Sequence, residues 1–316
     1  MNKIKRSGRL LKASFAVLFR EKKLLLFPFI ATGLAAVVAL FFIAPIVLQP
    51  TGFSYLSAKH WETLLQTLPV SHMQFGNLKV GPAAGPVTHS WIALIFALAY
   101  FTSMFLATFS NVAFYHEIMQ ALNGQSVSIR RGFRFAAARW RAVLLWSLFA
   151  GLVGYIINAI EERVSFLGKI ITSFLGFAWS IACIFIIPTL VREEETANPL
   201  KLLRTSAGTL KRTWGELVIG FVGMELAFGF ATLLLIIVAM LTGGAAAFFT
   251  CWYFHSSAWW ILPVVVAEWF LLAVPLGLIG SVVNPVYRCA LYVYATEGVV
   301  PESFDKELLD SAWKVK

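Results

Sequence analysis

Residues 199–214 read PLKLLRTSAGTLKRTW, and residues 215–241 follow directly as GELVIGFVGMELAFGFATLLLIIVAML. In the first stretch Leu203, Ala207, Leu210 and Trp214 are spaced four, three and four, which is one face of an α-helix. Lys201 precedes them, and Arg204, Lys211 and Arg212 fall between them. Asn198-Pro199 supplies an N-cap and a first-position proline. The second stretch is longer than the roughly 20 apolar residues a helix needs to cross hydrocarbon. A cationic amphipathic segment that runs into a membrane span gives the class of the whole chain.

Composition agrees. Hydrophobic residues make up 59% of the 316 and charged residues 13%, about half the usual charged share of ~25%. A soluble protein of this length needs a polar skin that this chain cannot supply. The pattern predicts an all-α fold, a polytopic six-helix transmembrane bundle in a single integral membrane domain. Spans are expected at about 24–48, 90–114, 142–160, 166–191, 216–241 and 260–285, with 286–316 as a tail. The first run, LLLFPFIATGLAAVVALFFIAPIVL, exceeds a signal-peptide core and is expected to remain as span one.

The net charge of +10 is distributed unevenly. Twenty-two of the 26 Lys and Arg fall on the side of the termini; Lys59, Lys79, Arg163 and Lys169 are left for the other. That bias places the N- and C-termini in the cytoplasm. It also makes the lipid bilayer, through anionic headgroups at the cytoplasmic face, the expected partner of the basic residues. Nucleic acid is not expected, because no recognition motif accompanies the charge.

The opening stretch has two relatives in the chain. Ile129, Phe133, Ala136 and Trp140 repeat the spacing before span three, and Leu11, Phe15 and Leu18 repeat its first part before span one. Each opens with an apolar–basic pair: Leu11-Lys12, Ile129-Arg130 and Leu203-Arg204. These segments read as amphipathic interfacial helices preceding spans 1, 3 and 5, their apolar faces dipping into the acyl boundary while the bases reach headgroups. The anchoring residues are then Lys12, Arg130, Arg131, Arg134, Arg204, Lys211 and Arg212, with Trp140 and Trp214 in an aromatic belt. Three copies of a helix-plus-two-spans unit, or convergence on the same surface physics, would give this pattern.

On the other side, Trp61, Leu64, Leu65 and Leu68 predict a short helix in the loop 49–89. The uncharged, aromatic TGGAAAFFTCWYFHSSAWW is expected to anchor at the outer interface. Gly277 with Ser281, and Gly220, Gly223 and Ala227, offer small faces for close helix packing.

Intramembrane ionisable groups are functional candidates because lipid makes them costly. Glu225 and Glu268 stand out. They read either as a relay or gate facing the bundle interior, or as carboxyls hydrogen-bonded to a neighbouring helix. His116 and Glu117, adjacent at the inner end of span two, do not share a helix face and are not a metal motif. The histidines are too scattered for zinc, and Cys183, Cys251 and Cys289 have no evident partner. No phosphate-binding loop, nucleophile elbow or zinc-protease motif is present, so no catalytic residue, metal or cofactor is expected.

The elbows, the spans and the tail ALYVYATEGVVPESFDKELLDSAW together resemble a family of uncharacterised six-span bacterial integral membrane proteins. The resemblance is most specific at Tyr294, Ala295, Thr296, Gly298, Val300, Pro301 and Phe304-Asp305. It implies the bacterial cytoplasmic (inner) membrane and no known activity. Residues 199–214 also look distantly like the membrane module attached to some glycerophosphodiester phosphodiesterases, whose catalytic barrel is not expected within this sequence. The expected function is a non-enzymatic membrane component organising lipid or a partner complex, another membrane protein or a second copy of the chain. The alternatives are a small transporter or channel using Glu225 and Glu268 and, more weakly, a lipid-modifying enzyme.

Overall fold

A computed structural model describes residues 3–48, 50–67, 86–161, 163–193, 198–254, 261–301 and 304. Among them are ten α-helices and no strand. Six helical segments are long and apolar enough to cross a membrane: Lys22–Pro45, Leu94–Leu122, Trp140–Glu161, Gly168–Arg192, Phe228–Thr250 and Pro263–Glu297. This is the six-span, all-α protein that the hydropathy pattern predicts.

The helices are α1 (Lys3–Arg20), α2 (Leu26–Val47), α3 (Ala58–Thr67), α4 (Pro86–Leu122), α5 (Ile129–Ala138), α6 (Trp140–Glu161), α7 (Phe166–Ala182), α8 (Ile186–Arg192), α9 (Pro199–Phe254) and α10 (Ile261–Glu297). A 3₁₀ turn over Lys22–Leu25 joins α1 to α2. Spans are α2, α4, α6, α7 with α8, α9 and α10. The hub is α4, which packs on α2, α5, α6, α8 and α10, while α9 and α10 pair as an antiparallel hairpin.

Helix length shows where the core must lie. At 1.5 Å per residue, the 37 residues of α4 and the 37 of α10 each run about 55 Å. The hydrocarbon core is ~30 Å thick, so about 25 Å of each helix lies outside it. Both helices extend toward the end that carries α1 and α5, the basic end, and there the protein packs densely. Ile118, Phe185, Leu190, Leu202, Tyr287 and Leu291 are all fully buried in one cluster. Along the most apolar stretches of the spans, by contrast, at most 22% of residues are buried in protein, and in α10 none are. The spans therefore face lipid and converge on a solid knot at one end.

Several expectations need correction here. Residues 286–297 are not a tail: α10 continues through them to Glu297, and Val286, Tyr287, Cys289, Ala290 and Leu291 are buried in the knot. Residues 115–122, beyond the expected end of span two at about 114, are the buried end of α4. The third elbow is not a separate element, since Pro199–Phe254 is one continuous helix, and that helix absorbs residues 242–254 of the expected outer segment. Gly277 makes no close packing; a Cβ there would meet nothing within 4 Å.

The apolar stripes of the elbow segments meet protein. Leu18, Ala136 and Leu210 are buried in the knot, with Leu11, Phe15, Ile129, Phe133 and Leu203 packed against it. The physical reason is that an amphipathic period specifies an apolar face without specifying what covers it. Here the protruding ends of α4 and α10 do.

Outside, α3 occupies Ala58–Thr67 and is fixed by a buried histidine. His60 Nε2 donates to the Val47 carbonyl at 3.1 Å, so Nδ1 accepts from the Thr51 hydroxyl at 2.5 Å. Leu68 lies outside the described residues.

Candidate functional site

The chemistry of this chain is concentrated where the long helices leave the membrane. Its centre is Glu117, on the last turns of α4, whose side chain is wholly buried. The carboxylate receives Arg131 in a two-pronged contact, Nε to Oε1 at 2.8 Å and Nη2 to Oε2 at 2.7 Å. Oε2 also accepts the Ser128 backbone N–H at 2.7 Å. Planar guanidinium on planar carboxylate is the strongest geometry such a pair has. Its effect on Arg131 is to raise the pKa above the ordinary value, chiefly through the hydrogen bond to Glu117. Although adjacent on the helix, His116 Nε2 lies 3.8 Å from Oε1 while its ring stacks on Phe135 at 3.9 Å.

Local sequence explains how the pair meets. Helix α4 stops at Asn123-Gly124, where Gly124 takes φ 76°. The Gln125 N–H returns to the Gln120 carbonyl at 2.9 Å and the Gly124 N–H to that of Ala121 at 3.1 Å, a Schellman closure. The chain then doubles back so that α5 lies along α4. Gly132 permits the contact: a Cβ there would sit 2.8 Å from the Ala113 carbonyl oxygen and 2.9 Å from Glu117 Cγ.

Six further hydrogen bonds, in three groups, bind segments distant in sequence. Arg20 donates to the Ala121 carbonyl, and Glu21 Oε2 accepts the Val127 N–H at 3.1 Å, so the end of α1 grips both sides of the α4–α5 turn. Arg139 Nη1 donates to the carbonyls of Leu190 and Glu193 at 2.7 and 2.5 Å, capping α8, with its guanidinium 4.7 Å from the Phe135 ring centroid. At the break between α7 and α8, the fully buried Ser206 of α9 donates to the Ala182 carbonyl at 2.6 Å and accepts the Phe185 N–H at 3.2 Å. One hydroxyl thus replaces the ladder bonds that the break removes.

The tail sequence closes the knot. Gly298 ends α10 at φ 67°, Arg192 pairs with Glu297 at 2.7 Å, and Phe304 returns to the core at 4% exposure.

Beside the knot, on the membrane flank of α2, α4 and α10, is a cavity of about 280 Å³. Phe27, Pro28 and Ala31 line it from α2, Ser110, Asn111, Phe114 and Tyr115 from α4, and Ser281, Pro285 and Arg288 from α10. Arg288 and the Tyr115 hydroxyl are close enough to interact electrostatically. A second, apolar cavity of about 610 Å³ lies further along α2 and α4 and reaches α3 at Trp61 and Leu64.

Of the residues expected to anchor the protein, Lys12, Arg130, Arg134, Arg204 and Lys211 are exposed around the knot. Arg131 is instead turned onto Glu117. Trp140 is 49% exposed at the start of α6, with the Arg141 guanidinium 5.6 Å from its ring centroid. The side chains of Arg212, Trp214 and Glu225 lie outside the described residues. Glu268 Oε2 accepts from the Thr242 hydroxyl at 3.0 Å across the α9–α10 hairpin, so it does not stand alone in the membrane. No group of three His, Cys, Asp or Glu side chains among the described residues could hold a metal ion.

The sequence reading passes over Arg139, Ser206 and Arg288, and weighs Glu117 only as a metal ligand. A signal exists for Glu117: a carboxylate in the buried end of a span requires a cation, and after the Asn-Gly stop Arg130 and Arg131 are the next bases in the chain.

A family model described as a family of unknown function, DUF6159, matches residues 87–301, about two thirds of the chain. No curated protein and no solved structure matches.

Proposed function

The chain belongs to the DUF6159 family of unknown function, and we propose that it is a non-enzymatic component of the bacterial cytoplasmic membrane that organises anionic lipid, or a partner complex, at its basic face. One observation carries this reading: Lys12, Arg130, Arg134, Arg204 and Lys211 are exposed on three segments whose apolar faces share one core. A rigid knot thereby presents bases from α1, α5 and α9 together. Each base near an anionic surface contributes about 1 kcal/mol, decaying over the ~8 Å Debye length at physiological salt. The basic end faces the cytoplasm in this reading, following the positive-inside bias.

The test is native mass spectrometry of the protein extracted in mild detergent from its own membrane, beside a variant with those five residues changed to Gln. Retained anionic lipid or a stoichiometric partner, lost in the variant, supports the reading. Equal retention by both proteins refutes it. The side of the membrane is tested by single cysteines at Lys12 and Lys59 in a cysteine-free background: an impermeant maleimide applied to intact cells is expected to label the second alone.

A transporter using Glu225 and Glu268 is the lesser reading. The Thr242–Glu268 hydrogen bond favours the alternative of a carboxyl held by its neighbouring helix. Loss of a flux phenotype in a normally folded Glu268→Gln protein would restore the transport reading.

A further inference from the structure

We propose that the cavity between α2, α4 and α10 holds the phosphate of one glycerophospholipid from the leaflet at the basic end, with an acyl chain lying along the seam between α2 and α4. This goes beyond the proposed surface attraction, which is collective, and names a single site with its own determinants.

The lining suits a phosphate. Arg288 contributes a planar fork of donors, the geometry that recognises phosphate in pairs of bonds. Ser110 and Asn111 add neutral donors beside the Ser281 hydroxyl, which donates to the Leu278 carbonyl at 2.8 Å, and no carboxylate is among the lining residues. On the membrane flank Asn111 and Ser281 are exposed, so the polar wall can be reached from lipid.

The depth suits a headgroup. Hydropathy ends the hydrocarbon near positions 24, 114 and 285 on spans one, two and six. The lining residues run over 27–31, 110–115 and 281–288 on those spans, so the cavity straddles the acyl–headgroup boundary on α4 and α10 and lies within two turns of it on α2. A polar pocket at that level meets phosphates rather than water or acyl chains.

The seam suits the chain. The apolar cavity is lined by Val38 and Phe42 of α2 and by Ile95, Tyr100 and Ser103 of α4, among others. From Ala31 to Val38, and from Ser103 to Ser110, the offset is seven residues, about 10 Å on either helix. That is less than the ~15 Å thickness of one hydrocarbon leaflet. A chain descending from a phosphate beside Arg288 therefore reaches the apolar cavity without leaving the seam.

The experiment is native mass spectrometry of the full chain, delipidated and then titrated with phosphatidylglycerol, with diacylglycerol of the same chains, and with inorganic phosphate. Wild type is expected to bind one phosphatidylglycerol at least ten-fold more tightly than either of the others. Arg288→Gln is expected to lose at least ten-fold in that affinity, and Ala31→Trp, which fills the cavity from α2 with Arg288 intact, at least as much. The variant with five surface bases neutralised is expected to keep the single lipid, which separates failure of this site from failure of the surface reading. Diacylglycerol bound as tightly as phosphatidylglycerol would leave an apolar groove without a phosphate site. Inorganic phosphate bound as tightly would make the ligand a free anion. Undiminished lipid binding in folded Arg288→Gln or Ala31→Trp would place the lipid elsewhere. Each of these overturns the proposal, and the wild-type comparison decides even if both variants fail to fold.

Discussion

Replacing Arg131 with Ala should destabilise the protein by about 3 kcal/mol, because it strands a carboxylate that no water can reach. Removing one partner of a buried ion pair costs about 3–5 kcal/mol. The lower end applies here, since the Arg131 side chain is 33% exposed while that of Glu117 is at 0%. The Ser128 N–H remains as a donor to the stranded carboxylate, which limits the loss further. Glu117→Gln should cost less, about 1.5–3 kcal/mol, because a neutral amide keeps the shape and Arg131 can swing toward solvent. The double variant should fall short of the sum of the singles by about 2 kcal/mol. The assay is reversible unfolding in mixed micelles, followed by tryptophan fluorescence over the four members of the cycle. Additivity within ~0.5 kcal/mol would mean no coupling, and the clasp would not hold α5 to α4. The pair also sets a pH expectation. Arg131 has its pKa raised above the ordinary arginine value in the folded protein, chiefly by the hydrogen bond to Glu117, so its contribution is complete below that ordinary value and is lost only as pH rises past the folded value. Stability differences between wild type and Arg131→Ala should accordingly be flat from about pH 7 to 10, and a decline within that window would assign the effect to another group.

Gly132→Ala should destabilise by about 1–3 kcal/mol in the same assay, because the new Cβ drives α5 off α4. Gly208→Ala, also helical but with nothing within 4 Å of its Cβ, should stabilise by up to ~1 kcal/mol; equal signs would remove the close-approach argument. Ser206→Ala should cost about 1–3 kcal/mol by leaving the Phe185 N–H and the Ala182 carbonyl without their shared hydroxyl, and Ser206→Cys should not restore it, since a thiol is a weak partner. Phe304→Ala should cost about 3 kcal/mol or more and hasten proteolysis just after Gly298; unchanged proteolysis would mean that Phe304 does not hold the tail.

The parts of the fold that were legible in sequence are those governed by lipid. Six apolar runs specify six spans because hydrocarbon demands an internally bonded backbone of set length. The same reasoning misplaces the ends of α4 and α10, since once a helix leaves lipid nothing in hydropathy says whether water or protein covers it. Tyr115 to Leu122 and Val286 to Val293 look like ordinary mixed sequence and are core. The elbow stripes fail in the same way: Leu18, Ala136 and Leu210 were legible as a face, and their partner was not. Glu225 and Glu268 stand out as intramembrane candidates because they lie in apolar runs, whereas Glu117 is weighed only as a metal ligand, because it sits beside bases and a turn. Its burial is created by Gly132 and the Schellman closure, two backbone facts that no charge count contains.

The division between the two ends of the molecule bears on how lipid could matter to it. Within hydrocarbon, apolar side chains gain little by meeting one another, because lipid tails solvate them equally well. The most apolar stretches of the spans have correspondingly few residues buried in protein. At the basic end water and headgroups replace tails, burial of apolar area recovers about 25 cal/mol per Å², and the helices close into a knot pinned by Glu117–Arg131, Arg139 and Ser206. A lipid bound at the boundary between these regimes, beside Arg288, would touch α2, α4 and α10 where their packing changes from loose to tight. It would act as a wedge fixing the splay of three spans from their anchored ends. Lipid occupancy should then alter the outer halves more than the knot. Hydrogen exchange with and without bound phosphatidylglycerol is expected to show protection gained along 31–47 and 94–110 and unchanged along 112–122. Equal protection in both regions would mean that the knot itself forms only around lipid.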